Sequence, residues 1–276
     1  MYIKFKDGKS KVFTMSYDDG VVQDIRLMDI MNKNGLKGTF NINSGFYLEE
    51  DAVREKFYGR MKLSEAKKLF LNSGNEVAVH GYTHPFLERL ESAEMIDEII
   101  KDRKAIEEEY QTIAKGMAYP FGTFSSTVLE ALKLCGISYC RTTKSTECFD
   151  LPSDWLQLNP TCHHNNERLM DIAKRFAEEQ PTFNRSWMFY LWGHSYEFDQ
   201  NDNWEVIEKL AEYIGGRDDV WYATNIEIYN YVKAYERLQT SVDKKIIYNP
   251  SAIDVWAVHC GETIKIAAGE TVNIKF

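Results

Sequence analysis

The sequence predicts an α/β fold: a distorted (β/α) barrel of about seven units, followed by a small C-terminal antiparallel β extension. Two observations predict it. Along most of the chain, β-prone runs alternate with helix-like runs over short connections, a pattern typical of a parallel sheet. After residue 238 this alternation stops and short β-prone runs follow one another. With 276 residues, 44% of them hydrophobic, the chain is long enough to close such a sheet around one core.

The elements of the barrel are predicted in order from the residue pattern. Strands are predicted at 12–17, 38–42, 76–79, 117–119, 137–140, 187–192 and 220–223. Helices are predicted at 64–74, 128–135, 167–179, 206–214 and up to about 238, with one more around Ile25 and one from Ser92. Ser64 and Ser92 are expected to be N-caps, and Gly35 to end the first helix. Ile25, Met28 and Met31 lie at helical spacing, and the helix from Ser92 is expected to point Met95, Ile96, Ile99, Ile100 and Ile106 inward.

The last part of the chain has a different pattern. Its β-prone runs lie at 245–248, 254–258, 263–266 and 272–274, with turns between them. We expect residues 1–238 to form the barrel domain that carries the site. We expect residues 239–276 to form a β extension packed on the barrel, because so short a segment is rarely stable alone.

Charge, cysteine content and hydropathy limit the class of protein. The formal net charge of -9 argues against a nucleic-acid partner. Five cysteines, an odd number without C-x-x-C spacing, disfavour a disulfide framework. The first residues lack the apolar run of a signal peptide, and no run of about 18 apolar residues occurs. These features predict a cytoplasmic protein that has no membrane partner, and the absence of a secretion signal favours a small soluble substrate over an extracellular polymer.

Polar residues with catalytic potential follow four of the predicted strands. Asp18 and Asp19 follow the first strand, His80 and His84 the third, and His194 the sixth, while a Pro-Phe-Gly turn follows the fourth. In β/α barrels the catalytic groups gather at the carboxyl ends of the strands. We therefore expect these residues to form one site.

The acidic pair and the two histidines together predict a metal site. Neighbouring side chains of an extended strand point apart, so Asp18 and Asp19 are expected to have different roles, one at a metal and one at the substrate. A turn with an Asp helix cap before Val21 is the alternative. A helical turn would put His80 and His84 on one side. Two histidines and a carboxylate suit catalytic zinc, and also iron, cobalt or nickel.

Four segments together resemble a known family. They are Ser16-Tyr17-Asp18-Asp19-Gly20, His80-Gly81-Tyr82-Thr83-His84, Tyr119-Pro120-Phe121-Gly122 and a later His194. In this order and spacing the chain resembles the polysaccharide deacetylases, carbohydrate esterase family 4, over residues 10–235. The resemblance implies a metal-dependent hydrolase that removes an acetyl group from an N-acetylated or O-acetylated sugar or oligosaccharide. The implied cofactor is one divalent cation, zinc first, with cobalt, nickel, manganese or iron as alternatives.

The resemblance also implies a role for each of these residues. Asp18 would be the general base, and Asp19, His80 and His84 would be the metal ligands. His194 would be the catalytic acid that protonates the leaving amine. The metal would polarise the acyl carbonyl and lower the pKa of a water molecule, whose proton the base removes.

Four residues are expected to bind substrate, and the family pattern is broken nearby. The turn at Phe121 would offer a backbone N–H to the oxyanion, and Asn43 would reach the substrate, with the closing of a turn as its alternative role. Trp155 loosely matches an aromatic motif that walls the acyl pocket. Trp192 stands where members usually have an aliphatic wall residue. Ala118 stands where many members carry the arginine that orients the base, so what holds the base stays open.

Other polar residues and two other functions complete the predictions. His163 and His164 are expected to be an exposed loop pair, with lining the cleft or supplying an extra ligand as the alternative, and Glu197 either orients His194 or lies on the surface. The same residues would suit a metal-dependent hydrolase of a non-sugar C–N bond, such as a ureide-like amide. They would also suit a carbohydrate-binding protein that has lost turnover. Bound metal together with released acetate distinguishes the three.

Overall fold

The structure, a computed structural model, describes residues 1–54, 56, 58–182 and 184–274. Its strands are β1 (Tyr2–Lys4), β2 (Lys11–Asp18), β3 (Thr39–Ile42), β4 (Glu76–Val79), β5 (Gly116–Ala118), β6 (Tyr139–Arg141), β7 (Cys162–His163), β8 (Trp187–Gly193), β9 (Val220–Tyr222), β10 (Gln239–Thr240), β11 (Ile246–Tyr248), β12 (Val255–His259), β13 (Glu262–Ile266) and β14 (Thr271–Asn273). Its α-helices are α1 (Asp24–Lys33), α2 (Leu63–Phe70), α3 (Ser92–Tyr110), α4 (Ser126–Leu134), α5 (Leu169–Glu178), α6 (Tyr196–Gln200), α7 (Glu205–Ile214) and α8 (Asn225–Glu236). Each predicted strand and helix overlaps one of these elements, whereas β1, β7, β10 and α6 are not among the predicted ones.

Strands β2 to β9 form one parallel sheet that curls into a half-barrel. The hydrogen-bonded order is β6-β5-β4-β3-β2-β8-β7, and β9 also pairs with β2. The pairings within this sheet are parallel. The predicted distorted (β/α) barrel is confirmed. Among the described strands, β6 and β7 are the two edges of the sheet, so the barrel stays open.

Strand β2 lies at the centre of this sheet, and all eight of its residues are buried. It pairs with β8 from Lys11 opposite Trp187 to Tyr17 opposite Gly193. Its first residues also pair with β9 and its last ones with β3. Because parallel strands end on the same side of a sheet, Asp18 reaches the carboxyl face at the centre of the half-barrel.

The helices pack on the sheet through narrower stripes than the sequence pattern indicates. Helix α1 buries Leu27, Met28 and Met31 against the sheet. Ile25 is 38% exposed and Ile100 of α3 is 41% exposed, so the prediction that Ile100 points inward is wrong. Each lies beside the buried stripe of its helix, since one residue further along turns a side chain by about 100°.

Two predicted N-caps are also wrong. Ser64 lies inside α2, and the N-cap is Lys62, whose backbone N–H donates to Glu65 Oε2 at 2.9 Å. Ser92 is the first residue of α3, and Glu91 is the N-cap. In both helices the glutamate three residues after the cap accepts from the backbone N–H of the cap residue, so the helix begins ahead of each serine.

The remaining strands form two small antiparallel sheets, β1-β12-β13 and β10-β11-β14. The N-terminal strand joins the predicted C-terminal β extension, with Tyr2 opposite Val258. Tyr231 of α8 ties this sheet to the barrel, because its hydroxyl donates to the Lys4 carbonyl at 2.6 Å and accepts from the Trp256 N–H at 3.0 Å. The division at residue 238 stays a prediction. Among the described residues, no helix has both the length and the apolar character needed to cross a membrane.

Candidate active site

The carboxyl ends of the parallel strands open onto one cleft. Asp18 is the last residue of β2, and His80 and His194 directly follow β4 and β8. The cleft is lined by Asp18, Asp19, Tyr58, His80, His84, Tyr119, Phe121, Gly122, Thr143, Trp192, His194 and Tyr196. All five residues expected to carry the chemistry therefore lie together.

Asp19, His80 and His84 form a compact group of potential metal ligands. One ligand atom of each lies within 4.8 Å of the others. Asp19 Oδ1 lies 4.0 Å from Nε2 of His80 and 3.9 Å from Nε2 of His84. A cation among three atoms so close together would be within reach of all of them.

His80 and His84 are brought together by a tight turn. The helical turn that their spacing suggested is not present. Gly81 and His84 have φ values of +79° and +52°, which no right-handed helical turn contains. Asn43 Nδ2 donates to the carbonyls of His80 at 2.7 Å and Gly81 at 2.8 Å, and Asn43 Oδ1 accepts from Arg60 at 2.9 Å. Asn43, expected to reach the substrate, is instead buried and shapes this loop.

Asp18 and Asp19 both approach His80, although neighbouring side chains were expected to point apart. His80 Nε2 lies 3.7 Å from Asp18 Oδ2 and 4.0 Å from Asp19 Oδ1. Asp19 has a φ of +84°, so the backbone leaves the extended conformation and carries its side chain round to the cleft. Arg60 secures this turn through hydrogen bonds to the backbone oxygen of Asp19 and, at 3.3 Å, to Oδ1.

The two histidines are oriented and neutral, as metal ligands must be. His80 Nδ1 lies 2.9 Å from the Ala118 carbonyl oxygen, which assigns the proton to Nδ1 and leaves the Nε2 lone pair facing Asp19. Burial lowers the pKa of His80, and burial together with the His80 ring lowers the pKa of His84 to about 4. Metal ions bind the neutral form of imidazole. This group therefore fits a divalent cation.

Arg141, which the sequence analysis missed, forms a buried ion pair with Asp18. Asn41 Nδ2 donates to the other carboxylate oxygen of Asp18 at 2.8 Å, and the guanidinium lies over the Trp192 ring at 4.3 Å. Burial raises the pKa of Asp18, but Arg141, two histidines and Asn41 outweigh it and hold the pKa well below its ordinary value. Arg141 thus holds the Asp18 carboxylate, for which Ala118 offers no charged side chain. An arginine directly after the predicted strand 137–140 was the available signal.

His194 faces the acidic pair from the opposite side of the cleft. Its Nε2 lies 3.8 Å from Asp18 Oδ2 and 4.0 Å from Asp19 Oδ2. Its Nδ1 lies 3.3 Å from Glu197 Oε1, so Glu197 orients His194, one of the two expectations for this residue. Burial lowers the pKa of His194, but Glu197, Asp18 and Asp19 outweigh it and raise the pKa above its ordinary value. His194 is therefore suited to hold a proton near neutral pH.

His163 and His164 are not the exposed loop pair that the sequence predicts. His163 ends β7, which pairs with β8, and His164 is buried. Both Nε2 atoms approach Glu197 Oε2, at 3.2 Å from His163 and 2.9 Å from His164. The prediction failed because a strand of two residues has no readable period in the sequence.

The predicted substrate-binding aromatics occupy different places. Phe121 is 51% exposed at the cleft and stacks on Phe86 with ring centroids 3.8 Å apart. Trp192 also lines the cleft. Trp155 instead packs edge-on against Tyr229 of α8, with centroids 5.2 Å apart. This position corrects the expectation that Trp155 walls the acyl pocket.

Two lining residues were not identified from the sequence: Tyr58 and Thr143. Tyr58 meets Tyr196, the first residue of α6, edge to face, with centroids 4.8 Å apart. Tyr58 and Thr143 lie in connections that follow no recognisable pattern, so the sequence carried no signal for them.

Comparison with protein families assigns a family to the first half of the chain. The model of the polysaccharide deacetylase family matches residues 5–140. These residues belong to the polysaccharide deacetylase family. The deacetylase match includes Asp18, Asp19, His80 and His84, and it ends directly before Arg141.

Solved structures with TM-scores above 0.5 share this fold at low sequence identity. A Mycobacterium smegmatis protein assigned to the polysaccharide deacetylases is 13% identical, with a TM-score of 0.58 over 85% of this chain and 94% of that one. The chitin deacetylase of the fungal pathogen Colletotrichum lindemuthianum is 16% identical, with a TM-score of 0.53 over 82% and 89%. The deacetylase PplD of Streptococcus pyogenes, in complex with acetate, is 20% identical with a TM-score of 0.46; the match covers 52% of this chain and 61% of PplD. No protein of curated function matches this chain in sequence.

Proposed function

We propose that this chain is a metal-dependent hydrolase that removes an acetyl group from an N-acetylated or O-acetylated sugar or oligosaccharide. One observation carries the proposal: the three potential ligands Asp19, His80 and His84 share a cleft with Asp18 and His194, whose side chains lie 3.8 Å apart. A carboxylate base, an imidazole acid and a metal site are together one set of groups that can hydrolyse an amide or ester.

The metal site consists of Asp19, His80 and His84. A divalent cation there would supply Lewis acidity towards the acyl carbonyl and a water molecule. The Ala118 carbonyl fixes the His80 ring, and Arg60 fixes the Asp19 turn. Zinc suits two imidazoles and a carboxylate best, and cobalt, nickel, manganese and iron are the alternatives.

Asp18 is the proposed general base. It is held as a carboxylate by Arg141 and Asn41, so it can accept the proton of the attacking water. A well-placed base is worth typically ~10²–10⁴-fold in rate. Arg141 and Asn41 act through Asp18 and are therefore positioning residues.

His194 is the proposed general acid, which gives its Nε2 proton to the leaving amine or alcohol. Glu197 at Nδ1 supports the protonated ring and orients it. The backbone N–H of Phe121 is the proposed donor to the oxyanion that forms at the acyl carbon. The exposed ring of Phe121 offers an apolar face on which a sugar ring can lie.

Acetate release tests the proposal. Wild-type protein would be assayed on a panel of N-acetylated and O-acetylated sugars and oligosaccharides, after chelation and again after reloading with zinc or cobalt. We expect acetate only from the reloaded protein. Hydrolysis of ureide-like amides without acetate release would favour the other C–N hydrolase, and sugar binding without any hydrolysis would favour a binding protein. Either result would contradict the proposed deacetylation.

A further inference from the structure

A second group of metal-type ligands lies beside the catalytic cleft. We call His163, His164 and Glu197 the Glu197 cluster. One ligand atom of each lies within 4.8 Å of the others. Glu197 Oε2 lies 3.2 Å from His163 Nε2 and 2.9 Å from His164 Nε2. The cluster shares no residue with the group formed by Asp19, His80 and His84.

The fold builds this cluster from separate chain segments. His163 ends strand β7 and His164 follows it directly, and the backbone N–H of His164 donates to the Trp192 carbonyl at 2.9 Å. Helix α6 delivers Glu197. Gly193 makes room for the His164 ring, because a Cβ at this position would lie 2.0 Å from His164 Nδ1. The position of His164 therefore depends on a residue without a side chain.

His164 is a buried polar ring that the described residues leave unsatisfied. Neither of its ring nitrogens has a hydrogen-bond partner among the described residues, and both are shielded from solvent. The approach of Nε2 to Glu197 lacks the directionality of a hydrogen bond. The His164 ring stacks on Tyr17 and Phe198, with centroids 5.7 and 4.2 Å away. Burying a polar group without a partner is unfavourable, so this ring calls for a ligand.

We infer that the Glu197 cluster binds a second divalent cation of the first transition row, such as zinc, cobalt or nickel. Two imidazoles and a carboxylate are a ligand set for these ions. Tetrahedral zinc with bonds of about 2.0–2.1 Å holds its ligand atoms about 3.3 Å apart. The 3.2 and 2.9 Å separations in the cluster are close to that value.

Two neighbouring contacts are compatible with this cation. His163 Nδ1 now accepts the Asn165 backbone N–H at 3.1 Å, but coordination through Nε2 puts the proton on Nδ1. Asn165 is exposed, so water can replace that contact. Glu197 would bind the cation through Oε2 and keep Oε1 on His194 Nδ1, a carboxylate shared between a cation and a histidine.

Cation stoichiometry tests this inference. Metal-free protein would be dialysed to equilibrium against Co²⁺, and bound cobalt would be measured by elemental analysis and by d–d absorption. We expect two equivalents in the wild type and one in His163→Asn. We also expect one equivalent in His84→Asn, with a different absorption spectrum. His259→Asn, which alters the sixth histidine of the chain, is the matched control and should keep two equivalents.

The outcomes separate this inference from the proposed function. One equivalent in the wild type, lost in His84→Asn and kept in His163→Asn, would overturn the second site and leave the catalytic centre standing. One equivalent lost in His163→Asn alone would support the Glu197 cluster and contradict the catalytic centre. Two equivalents that persist in His163→Asn would place the second cation elsewhere and overturn the inference. Circular dichroism melts would show that each variant is folded.

Discussion

Arg141 forms a buried ion pair with Asp18 across the half-barrel, from the end of β6 to the end of β2. Three strands, β5, β4 and β3, lie between these two in the sheet, so the pair depends on the curl of the sheet. The guanidinium also covers the Trp192 ring. An arginine from a distant strand thus holds the carboxylate that Ala118, at the position two before Pro120, cannot hold.

Replacing Arg141 should impair catalysis and stability together. Arg141→Lys keeps the charge but loses the planar fork, and we expect kcat/KM to fall by roughly 10²-fold. Arg141→Met leaves Asp18 without its partner in the interior and should destabilise the fold by roughly 3–5 kcal/mol. Urea unfolding and acetate-release kinetics measure the two effects. Arg103→Lys, at an arginine that pairs with Glu107 on α3, is the control. A wild-type kcat/KM in Arg141→Lys would contradict the claim that the guanidinium of Arg141 positions Asp18 for catalysis.

The two neighbouring aspartates should fail in different ways. Asp18→Asn removes the proposed base and should lower kcat/KM by about 10²–10⁴-fold while the bound metal stays. Asp19→Asn removes a ligand and should lower metal occupancy as well. Metal content and activity, measured on the same preparations, distinguish the two. Equal metal loss in both variants would contradict the division of roles.

Glu197 should control the alkaline limb of the pH profile. His194 must be protonated to act as an acid, so activity is lost as pH rises through its pKa. The Glu197 carboxylate raises that pKa, so Glu197→Gln should move the alkaline limb of kcat/KM to lower pH when the site of Asp19, His80 and His84 is equally loaded in both proteins. Profiles of the two proteins in the same buffers check this. If the alkaline limb of the kcat/KM profile stayed at the same pH in Glu197→Gln, a group other than the pair of His194 and Glu197 would determine it.

Glu76 should make stability fall with rising pH. Burial raises its pKa from 4.5 to about 7, although Ile226, Tyr139 and Thr39 donate hydrogen bonds to it. Because the folded state keeps this proton longer than the unfolded state, the contribution is complete below about pH 4.5 and is lost as pH rises through 7. The loss is on the order of 3 kcal/mol.

Glu76→Gln cannot ionise and isolates this effect. The free energy of unfolding of the variant should improve relative to the wild type between pH 5 and pH 8. Urea titrations at both pH values measure the difference. Parallel pH dependence in the two proteins would show that Glu76 does not titrate in this range.

Much of the site could be predicted because parallel strands end together. Asp18 and His80 each follow a clear β-prone run, so their convergence on one face follows from the fold class alone. Arg141 and His164 could not be placed in this way. The contact of Arg141 depends on the curl of the sheet, and the burial of His164 depends on a strand of two residues beside Gly193.

Local conformation explains the other differences. The positive φ of Asp19 and His84 turns their side chains in directions that neither strand nor helix periodicity predicts. Ser64 has the chemistry of an N-cap, but Glu65 already satisfies the helix start from inside the first turn. The fold class and the order of elements depend on periodicity over many residues. Their prediction is therefore not affected by such local exceptions.

The measurement that tests the central claim most directly is the metal content and acetate release of His80→Ala beside the wild type. His80 lies between Asp18 and Asp19 and points its free nitrogen at the proposed metal site. We predict that His80→Ala loses one equivalent of metal and, with it, acetate release, while His259→Ala keeps both. A folded His80→Ala protein that retains the full metal content of the wild type and still releases acetate would contradict the account.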